Sequence, residues 1–377
     1  MFQKAMTAIM EHFGNLPDPR IERKKLHKLQ DIIFITIAAT ICGIDTWEDI
    51  EEWAEIREDW LKTILELPNG IPSHDTINRV FSLIDPRSFQ ECFVEWVKSV
   101  SRITEGQVIS IDGKRMCNSG EDGRKSIIHM VSAWSNANNM VLAQQKVGDK
   151  SNEITAIPAL LDMLYIKGCL VTIDAMGCQK TIAKAITDKG ADYILAVKEN
   201  QGHLLDDIKE AFSSEKVVQQ RTQTDMGHGR IEKRTCSIIT NTEWVCDEQE
   251  WTKLRTLICI ESERTIKATG VMEKQTRYYI SSKQADASVF NAAIREHWGI
   301  ENKLHWILDV AFDEDKSNKR AGHAAENYSF VSKIALNLLK QHDDYRGVKR
   351  ISIKTRRKKS SWSKDYLMAV LTGVDKF

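Results

Sequence analysis

The stretch VISIDG, residues 108–113, decides the fold class, because it is a short, β-branched apolar run that ends in a carboxylate, Asp112. The stretch LVTIDAMG, residues 170–177, repeats the pattern and contains Asp174 at the end of its apolar part. Apolar runs of this length next to glycine are typical of buried strands. We therefore expect two buried strands, each with an acidic residue at its carboxyl end.

A third acidic residue lies on the apolar side of an expected helix. In FNAAIREHWGIENKLHWIL, residues 290–308, apolar residues recur every three or four positions, the spacing of a core-facing helix surface, and Glu301 occupies one of these positions. Burying a lone carboxylate is costly unless something pairs with it. Three carboxylates could offset this cost together by binding divalent metal. The alternatives are a salt bridge from Glu301 to Arg295 and a simple turn at Asp112 and Gly113.

Composition sets the outer limits on function. The 377 residues carry 28% charged side chains and no net charge, and the eight cysteines form no C-x-x-C pair, which argues against zinc and disulfides. The longest apolar run, IIFITIAATICG at residues 32–43, is too short to span a bilayer and predicts a buried helix. With no signal peptide recognised, we expect a cytoplasmic, nucleoid-associated protein without a membrane partner.

Positive charge is concentrated near the end of the chain. Residues 346–364 contain nine Lys or Arg and no acidic residue, and residues 20–28 form a second basic cluster. Such clusters are often solvated faces that aid solubility, but the tryptophan at position 362 favours contact with a polyanion. The candidate DNA contacts in this segment are Arg356, Arg357, Lys358 and Lys359.

The N-terminal part of the chain predicts helices. Within LPNGIPSHDTINRVF, residues 67–81, a glycine and two prolines break the structure, and Ser73 or Asp75 can cap a helix that carries Arg79 outward. A helix, a tight turn and a capped helix could read DNA. Plain helix packing is the other interpretation.

The order of elements predicts the architecture. Three successive strands, a helix, the LVTIDA strand, a helix and a fifth strand follow from about residue 105, which is the order of a ribonuclease-H-like α/β fold. In that order the first and fourth strands are neighbours. We divide the chain into an N-terminal helical domain (1–104), the first part of a ribonuclease-H-like catalytic core (105–204), a β-rich insertion (205–285), the catalytic helix with the end of the core (286–340) and a basic C-terminal tail (341–377).

The expected cofactor follows from the ligand chemistry. Three carboxylates that converge favour Mg²⁺ or Mn²⁺, because hard oxygen donors suit hard cations. Two such ions could activate a water or a 3′-hydroxyl and stabilise the leaving oxygen of a phosphodiester. A further acidic set, Asp309, Glu314 and Asp315, could supply the third ligand in place of Glu301 or could be a solvated loop.

At these residues the chain resembles a known family, the DDE transposases of bacterial insertion sequences, and within it the H-repeat-associated branch linked to Rhs elements. The similar stretches include GIPSHDTINRVF, IDGKRM, KSNEITAIPALLDML, TIDAMGCQKTIA, DYILAVKENQ and IREHWGIENKLHWILDVAFDEDKSNKR. The resemblance implies that Asp112, Asp174 and Glu301 are the metal-binding triad. It also implies an enzyme that cuts and joins DNA at the terminal inverted repeats of its own element and inserts it into target DNA, working as a homodimer when two ends are paired.

The helix signature of related transposases is only partly present. Ile294, His297 and Leu308 stand where that signature has Tyr, Arg and Lys, although Arg295 and Trp298 match a broader pattern. These substitutions concern the supporting side chains more than the metal ligands. Further candidate DNA contacts are Lys114, Lys198, Arg230, Arg295 and His297.

Two other functions stay open at this point. The chain could be a DNA-binding relic that keeps the fold without transposing, or a structure-selective nuclease that shares the metal site. Intact triad residues and the uninterrupted reading frame favour the transposase.

Overall fold

The protein is built around a large mixed sheet with helices on both faces, in a computed structural model that describes residues 4–116, 128–148, 151–227, 229–346 and 349–373. The α/β class expected from the sequence is therefore confirmed. The helices are α1 (Lys4–Phe13), α2 (Leu29–Ile41), α3 (Trp47–Ile56), α4 (Glu58–Leu61), α5 (His74–Leu83), α6 (Pro86–Val100), α7 (Glu153–Met163), α8 (Lys180–Asp188), α9 (Gly202–Ser214), α10 (Ala287–Ile300), α11 (Trp306–Ala311), α12 (Ala324–Gln341), α13 (Ile353–Trp362) and α14 (Lys364–Thr372). The strands are β1 (Val108–Met116), β2 (Ile128–Ser135), β3 (Met140–Lys146), β4 (Leu170–Ile173), β5 (Asp192–Val197), β6 (Gln219–Gly227), β7 (Arg230–Ile239), β8 (Thr256–Ile266), β9 (Met272–Ser281), β10 (Tyr345–Arg346) and β11 (Lys349–Arg350).

The central sheet has the strand order β3-β2-β1-β4-β5-β9-β8-β7-β6. Strands β1 to β3 form an antiparallel meander, and β4 and β5 run parallel to β1. Crossover connections between parallel strands need a helix, which α7 and α8 provide. The first and fourth strands are neighbours, as the sequence predicted.

The segment 205–285 is rich in strands, but these strands continue the central sheet. Strand β9 pairs antiparallel with β5, and Ile194 lies opposite Ser281. The expectation of a separate β-rich insertion is corrected, because the outer edge of β5 has unpaired backbone groups that a further strand can satisfy. Most of β6 and the first half of β9 are exposed, and β8 is less buried toward its hairpin end.

The N-terminal helices pack around α12. Helix α2 is apolar on all sides and nearly every residue of it is buried, so it needs neighbours all round. Helix α12 packs against α2, α5 and α6 and also against β3. Tyr328 on α12 lies within hydrogen-bonding distance of Thr40 on α2, with their oxygens 3.1 Å apart. Residues 1–104 are thus helical where described, and they share one core with the rest of the chain.

The C-terminal segment is folded and packed. Ser352 and Ser363 cap α13 and α14 by accepting hydrogen bonds from backbone N–H groups. Both helices pack against α2 and α12. Residues 347–348 and 374–377 of the expected tail lie outside the described residues. In the part of the chain that the structure describes, no helix combines the length and apolar character needed to cross a membrane.

Candidate active site

Strand geometry directs Asp112 and Asp174 toward the same face of the sheet. Val108 on β1 and Leu170 on β4 are buried in the cluster that also contains the apolar face of α10. Side chains alternate along a strand, so the residues two and four positions later point the same way. The register pairs the residues immediately before the two acids. Both carboxylates therefore lie side by side on the face that α10 covers. Asp174 directly follows β4, but β1 continues past Asp112 to Met116, which corrects the expectation that Asp112 ends its strand.

Helix α10 approaches this face closely. A Cβ on Gly299 would lie 2.2 Å from Oδ1 of Asn136, so only glycine allows the present distance. His297, two residues before Gly299, has its Nδ1 3.0 Å from Oγ1 of Thr172 on β4. These contacts fix the end of α10 over β1 and β4.

A π-helical turn, Glu301–His305, follows α10 and precedes α11. Single π turns inside α-helices are frequent at functional sites. One ligand atom from each of Asp112, Glu301 and His305 lies within 4.8 Å of the others. Glu301 is exposed, which corrects the expected core-facing position, whereas Leu304 and Leu308, the next positions of the same stripe, are buried.

Asp112 is the most perturbed carboxylate of the site. Burial raises its pKa to about 8, and the negative charges of Glu301 and Asp174 add to the effect. The carboxylate form of Asp112 is therefore disfavoured without a cation, which agrees with a site that accepts positive charge.

Asp174 sits at the end of β4 and caps a short turn. Its Oδ1 accepts hydrogen bonds from the backbone N–H groups of Met176 and Gly177, at 3.2 and 3.4 Å. Among the described residues, the group within 4.8 Å comprises Asp112, Glu301 and His305, and Asp174 lies outside it. The convergence of all three acids on shared ions thus remains a prediction.

Sequence reasoning missed a carboxylate–imidazole pair, Glu153 with His129, beside Asp112. Glu153, the first residue of α7, has its Oε1 2.8 Å from Nε2 of His129 on β2. A Cβ on Gly113 would lie 2.2 Å from that same oxygen, so the glycine after Asp112 makes room for the pair. The charge of Glu153 also raises the pKa of Asp112. The signal was a glutamate at a helix start in KSNEITA, which by itself indicates only helix capping.

The alternative third ligands are engaged by lysine. Lys114 on β1 is paired with Asp309 and lies 2.9 Å from Oε2 of Glu314. Lys333 on α12 lies 3.5 Å from the other oxygen of Glu314. Asp315 is half-buried in the same turn. Lys114, expected to approach a phosphate, is instead mostly buried in this ion-pair network.

Two arginines of the basic tail are buried, which corrects their expected role at the surface. Arg356 is 1% exposed and donates hydrogen bonds to backbone carbonyls that include Leu339. Arg357 is 4% exposed and donates to the carbonyl of Thr40 at 2.8 Å and to the carboxylate of Asp45. Guanidinium groups have five donors and can satisfy several carbonyls at once, so these side chains join the tail to the core.

The remaining candidate DNA contacts differ in exposure. Lys359 lies 2.7 Å from Asp344, Arg295 is 45% exposed and lies 3.1 Å from Asp225, and His297 faces the sheet. Among the described residues, no hydrogen bond or ion pair joins an exposed candidate to Asp112, Asp174 or Glu301. Besides Arg295, the exposed candidates are Arg79, Lys198, Arg230 and Lys358.

Comparison with known proteins identifies the class. Residues 103–338 match the family described as Transposase DDE domain, and residues 10–97 match the family described as DDE_Tnp_1-associated. The chain belongs to the DDE transposase family.

Two relatives align over nearly the whole chain. "Putative transposase YncI" of Escherichia coli O157:H7 is 46% identical over 98% of this chain and 95% of that protein. "H repeat-associated putative transposase YhhI" of Escherichia coli strain K12 is 41% identical over 97% of this chain and 98% of that protein. A shorter relative from the same strain, "Inactive transposase YbfQ", is 50% identical over 20% of this chain and 88% of that protein. The resemblance to H-repeat-associated transposases is confirmed.

Proposed function

We propose that this protein is a metal-dependent transposase that cuts and joins DNA through Asp112, Asp174 and Glu301 on a ribonuclease-H-like core. The observation that carries the proposal is the juxtaposition of a mostly buried Asp112 on β1 with Glu301, within 4.8 Å, next to the end of β4 where Asp174 lies. The strand order β3-β2-β1-β4-β5 supports the ribonuclease-H-like assignment. Membership of the transposase family supports DNA as the substrate.

The donor set fits Mg²⁺ or Mn²⁺. Carboxylate oxygens are the ligands these ions prefer, and a buried carboxylate with a pKa near 8 gains most from a neighbouring cation. Asp112 and Glu301 would hold one ion, and Asp112 and Asp174 would hold the other. When bound, two such ions activate the attacking oxygen and stabilise the leaving oxygen of a phosphodiester.

The chain's own residues keep these ligands in place. Strands β1 and β4 fix the two aspartates by their parallel hydrogen bonding, and α10 fixes Glu301 through its close contact at Gly299. Ligands on strands and a packed helix are held more rigidly than ligands on loops. The expected partners are the inverted repeats of the element and target duplex DNA, and pairing two ends requires a second copy of the chain.

The test is Mg²⁺-dependent cleavage of duplex DNA carrying the element's ends by the full-length protein. Asp112→Asn should abolish cleavage and leave DNA binding nearly intact, because the change removes one charge without changing shape. Glu210→Gln, an exposed carboxylate change on α9, is the matched control and should cleave like wild type. Binding without cleavage by the wild-type protein would instead support a DNA-binding relic. Equal cleavage of end-containing and unrelated branched DNA would support a nuclease.

A further inference from the structure

We propose that His305 is a nitrogen ligand of the divalent ion held by Asp112 and Glu301, and that it makes this site prefer Mn²⁺ over Mg²⁺. The inference rests on the proposed metal-dependent function and specifies the composition of its site. It adds a ligand that the three-carboxylate triad does not contain.

The distances fit a shared ion. Nδ1 of His305 lies 3.4 Å from Oδ2 of Asp112, and one oxygen of Glu301 lies within 4.8 Å of both residues' ligand atoms. Ligands bonded at about 2.1 Å in neighbouring octahedral positions are about 3 Å apart, and opposite ligands are about 4 Å apart. A separation of 3.4 Å is longer than the usual hydrogen bond of about 2.7–3.2 Å. The separation of Asp112 and His305 thus fits two ligands of one cation, and Glu301 lies beside them.

The imidazole has binding capacity that the protein itself does not use. Its side chain is 8% exposed, and its Nε2 is buried with no hydrogen-bond partner among the described residues. Nδ1 is the ring nitrogen that faces Asp112, and at 3.4 Å it makes no ordinary hydrogen bond with that carboxylate, so it can accept a cation.

The π turn explains why two ligands of different chemistry come from one helix. Glu301 and His305 are the first and last residues of that turn, and both reach the group around Asp112. Imidazole binds first-row transition ions well, whereas Mg²⁺ prefers oxygen ligands. Carboxylates accept either Mg²⁺ or Mn²⁺, so the added nitrogen tips the preference toward Mn²⁺.

The experiment uses the full-length protein loaded with Mn²⁺ and examined by pulsed electron paramagnetic resonance for magnetic coupling to ¹⁴N. We expect a directly bound ¹⁴N in the wild type that is lost in His305→Gln. His203→Gln is the matched control, since it removes an exposed imidazole on α9, away from the described contacts of the site, and it should keep the ¹⁴N signal. The affinity for Mn²⁺ should fall by at least about tenfold in His305→Gln, and the affinity for Mg²⁺ should fall less.

The outcomes separate this inference from the proposed function. Wild-type protein that binds Mn²⁺ without a ¹⁴N coupling overturns the role of His305 and leaves the carboxylate site standing. A ¹⁴N coupling that persists in His305→Gln, shown to be folded by circular dichroism, also overturns the role of His305 and leaves the carboxylate site standing. Absence of Mn²⁺ binding in the wild type, or binding undisturbed in Asp112→Asn, overturns both. The wild-type spectrum is informative even if the His305 variant unfolds.

Discussion

Nζ of Lys114 lies 2.9 Å from Oε2 of Glu314, and this ion pair joins the strand that carries Asp112 to the turn after α11. Lys333 reaches the other oxygen of Glu314 from α12. Burial would raise the pKa of Glu314, but the ammonium groups of Lys333 and Lys114 outweigh it and lower that pKa. Glu314 is therefore a buried, paired carboxylate beside the metal site, held by two cations rather than free to bind a third.

Replacing Glu314 by Gln should destabilise the protein strongly. The change leaves the ammonium of Lys333, whose side chain is 3% exposed, without its counter-charge, and breaking a buried pair costs about 3–5 kcal/mol. The measurement is the free energy of unfolding in guanidinium chloride. Asp313→Asn, in the same turn but exposed, should change it by less than about 0.5 kcal/mol. A stable Glu314→Gln protein that no longer binds divalent metal would mean that Glu314 is the third ligand instead of Glu301.

Asp112 should make the metal-free protein less stable as pH rises. Its pKa is about 8 when folded against an ordinary value of 3.8, so the folded state keeps a proton that the unfolded state releases between these values. Asp112 therefore makes its complete stabilising contribution to the folded state below about pH 4, and this contribution is lost as pH rises toward about 8. Asp112→Asn removes the dependence.

The measurement compares wild type and Asp112→Asn by denaturation at about pH 5 and about pH 8 with a metal chelator. The free energy of unfolding of the variant should rise relative to that of the wild type as pH increases. The expected rise is on the order of 1 kcal/mol per pH unit between about pH 4 and about pH 8. Added Mg²⁺ should reverse the trend for the wild type alone. A difference that does not change with pH would show that Asp112 is not buried in the protonated form.

The strands and the direction of the two aspartates were predictable because they depend on local pattern. Side chains alternate between the two faces of a strand, which sets the face of each aspartate. The parallel pairing of β1 with β4 then places the two aspartates next to each other. The exposure of Glu301 was not predictable. The expected stripe assumed regular α-helical spacing, and the π turn Glu301–His305 changes that spacing at the functional position.

The burial of Arg357 in the basic tail also could not be predicted, because its partners lie far away in the sequence. A run of nine positive charges predicts a solvated or DNA-binding surface, yet Arg357 is buried against Thr40 and Asp45. Composition cannot reveal that carbonyls more than 300 positions away in the chain need donors. The joining of β9 to β5 is a similar case, since a free sheet edge is a property of the assembled fold.

Gly299→Ala should weaken divalent metal binding by displacing α10. Oδ1 of Asn136 lies where the new methyl group would be and accepts a hydrogen bond from the indole N–H of Trp134, so moving it leaves a buried donor unsatisfied. The overpacking should cost about 1–3 kcal/mol and exceed the gain in helix propensity of about 1 kcal/mol. Ser288→Ala, exposed on α10, is the control. Calorimetric titration with Mn²⁺ measures the effect, and unchanged affinity would show that α10 need not sit so close to β2.

Arg357→Ala should unfold the protein more readily, whereas its neighbour Lys358→Ala should not. The first change removes the buried guanidinium that pairs with the carboxylate of Asp45 and donates to the carbonyl of Thr40, at a cost of about 3–5 kcal/mol. Lys358 is exposed, so its removal should change stability by less than about 0.5 kcal/mol. Thermal and chemical denaturation compare the two. Equal stabilities would place the guanidinium of Arg357 at the surface.

DNA affinity should depend on the exposed lysines of α13 rather than on its buried arginines. Lys354 and Lys358 are exposed, and each lysine that binds a phosphate should contribute about 0.9 to the slope of log affinity against log salt. The double change Lys354→Ala/Lys358→Ala should therefore weaken binding to end-containing and random duplexes alike and flatten the salt dependence by up to about 2. Lys184→Ala/Lys209→Ala, on α8 and α9, removes the same charge elsewhere and controls for net charge. If both proteins bind alike at low and high salt, the tail has no role in DNA binding, and α5 around Arg79 becomes the surface to change next.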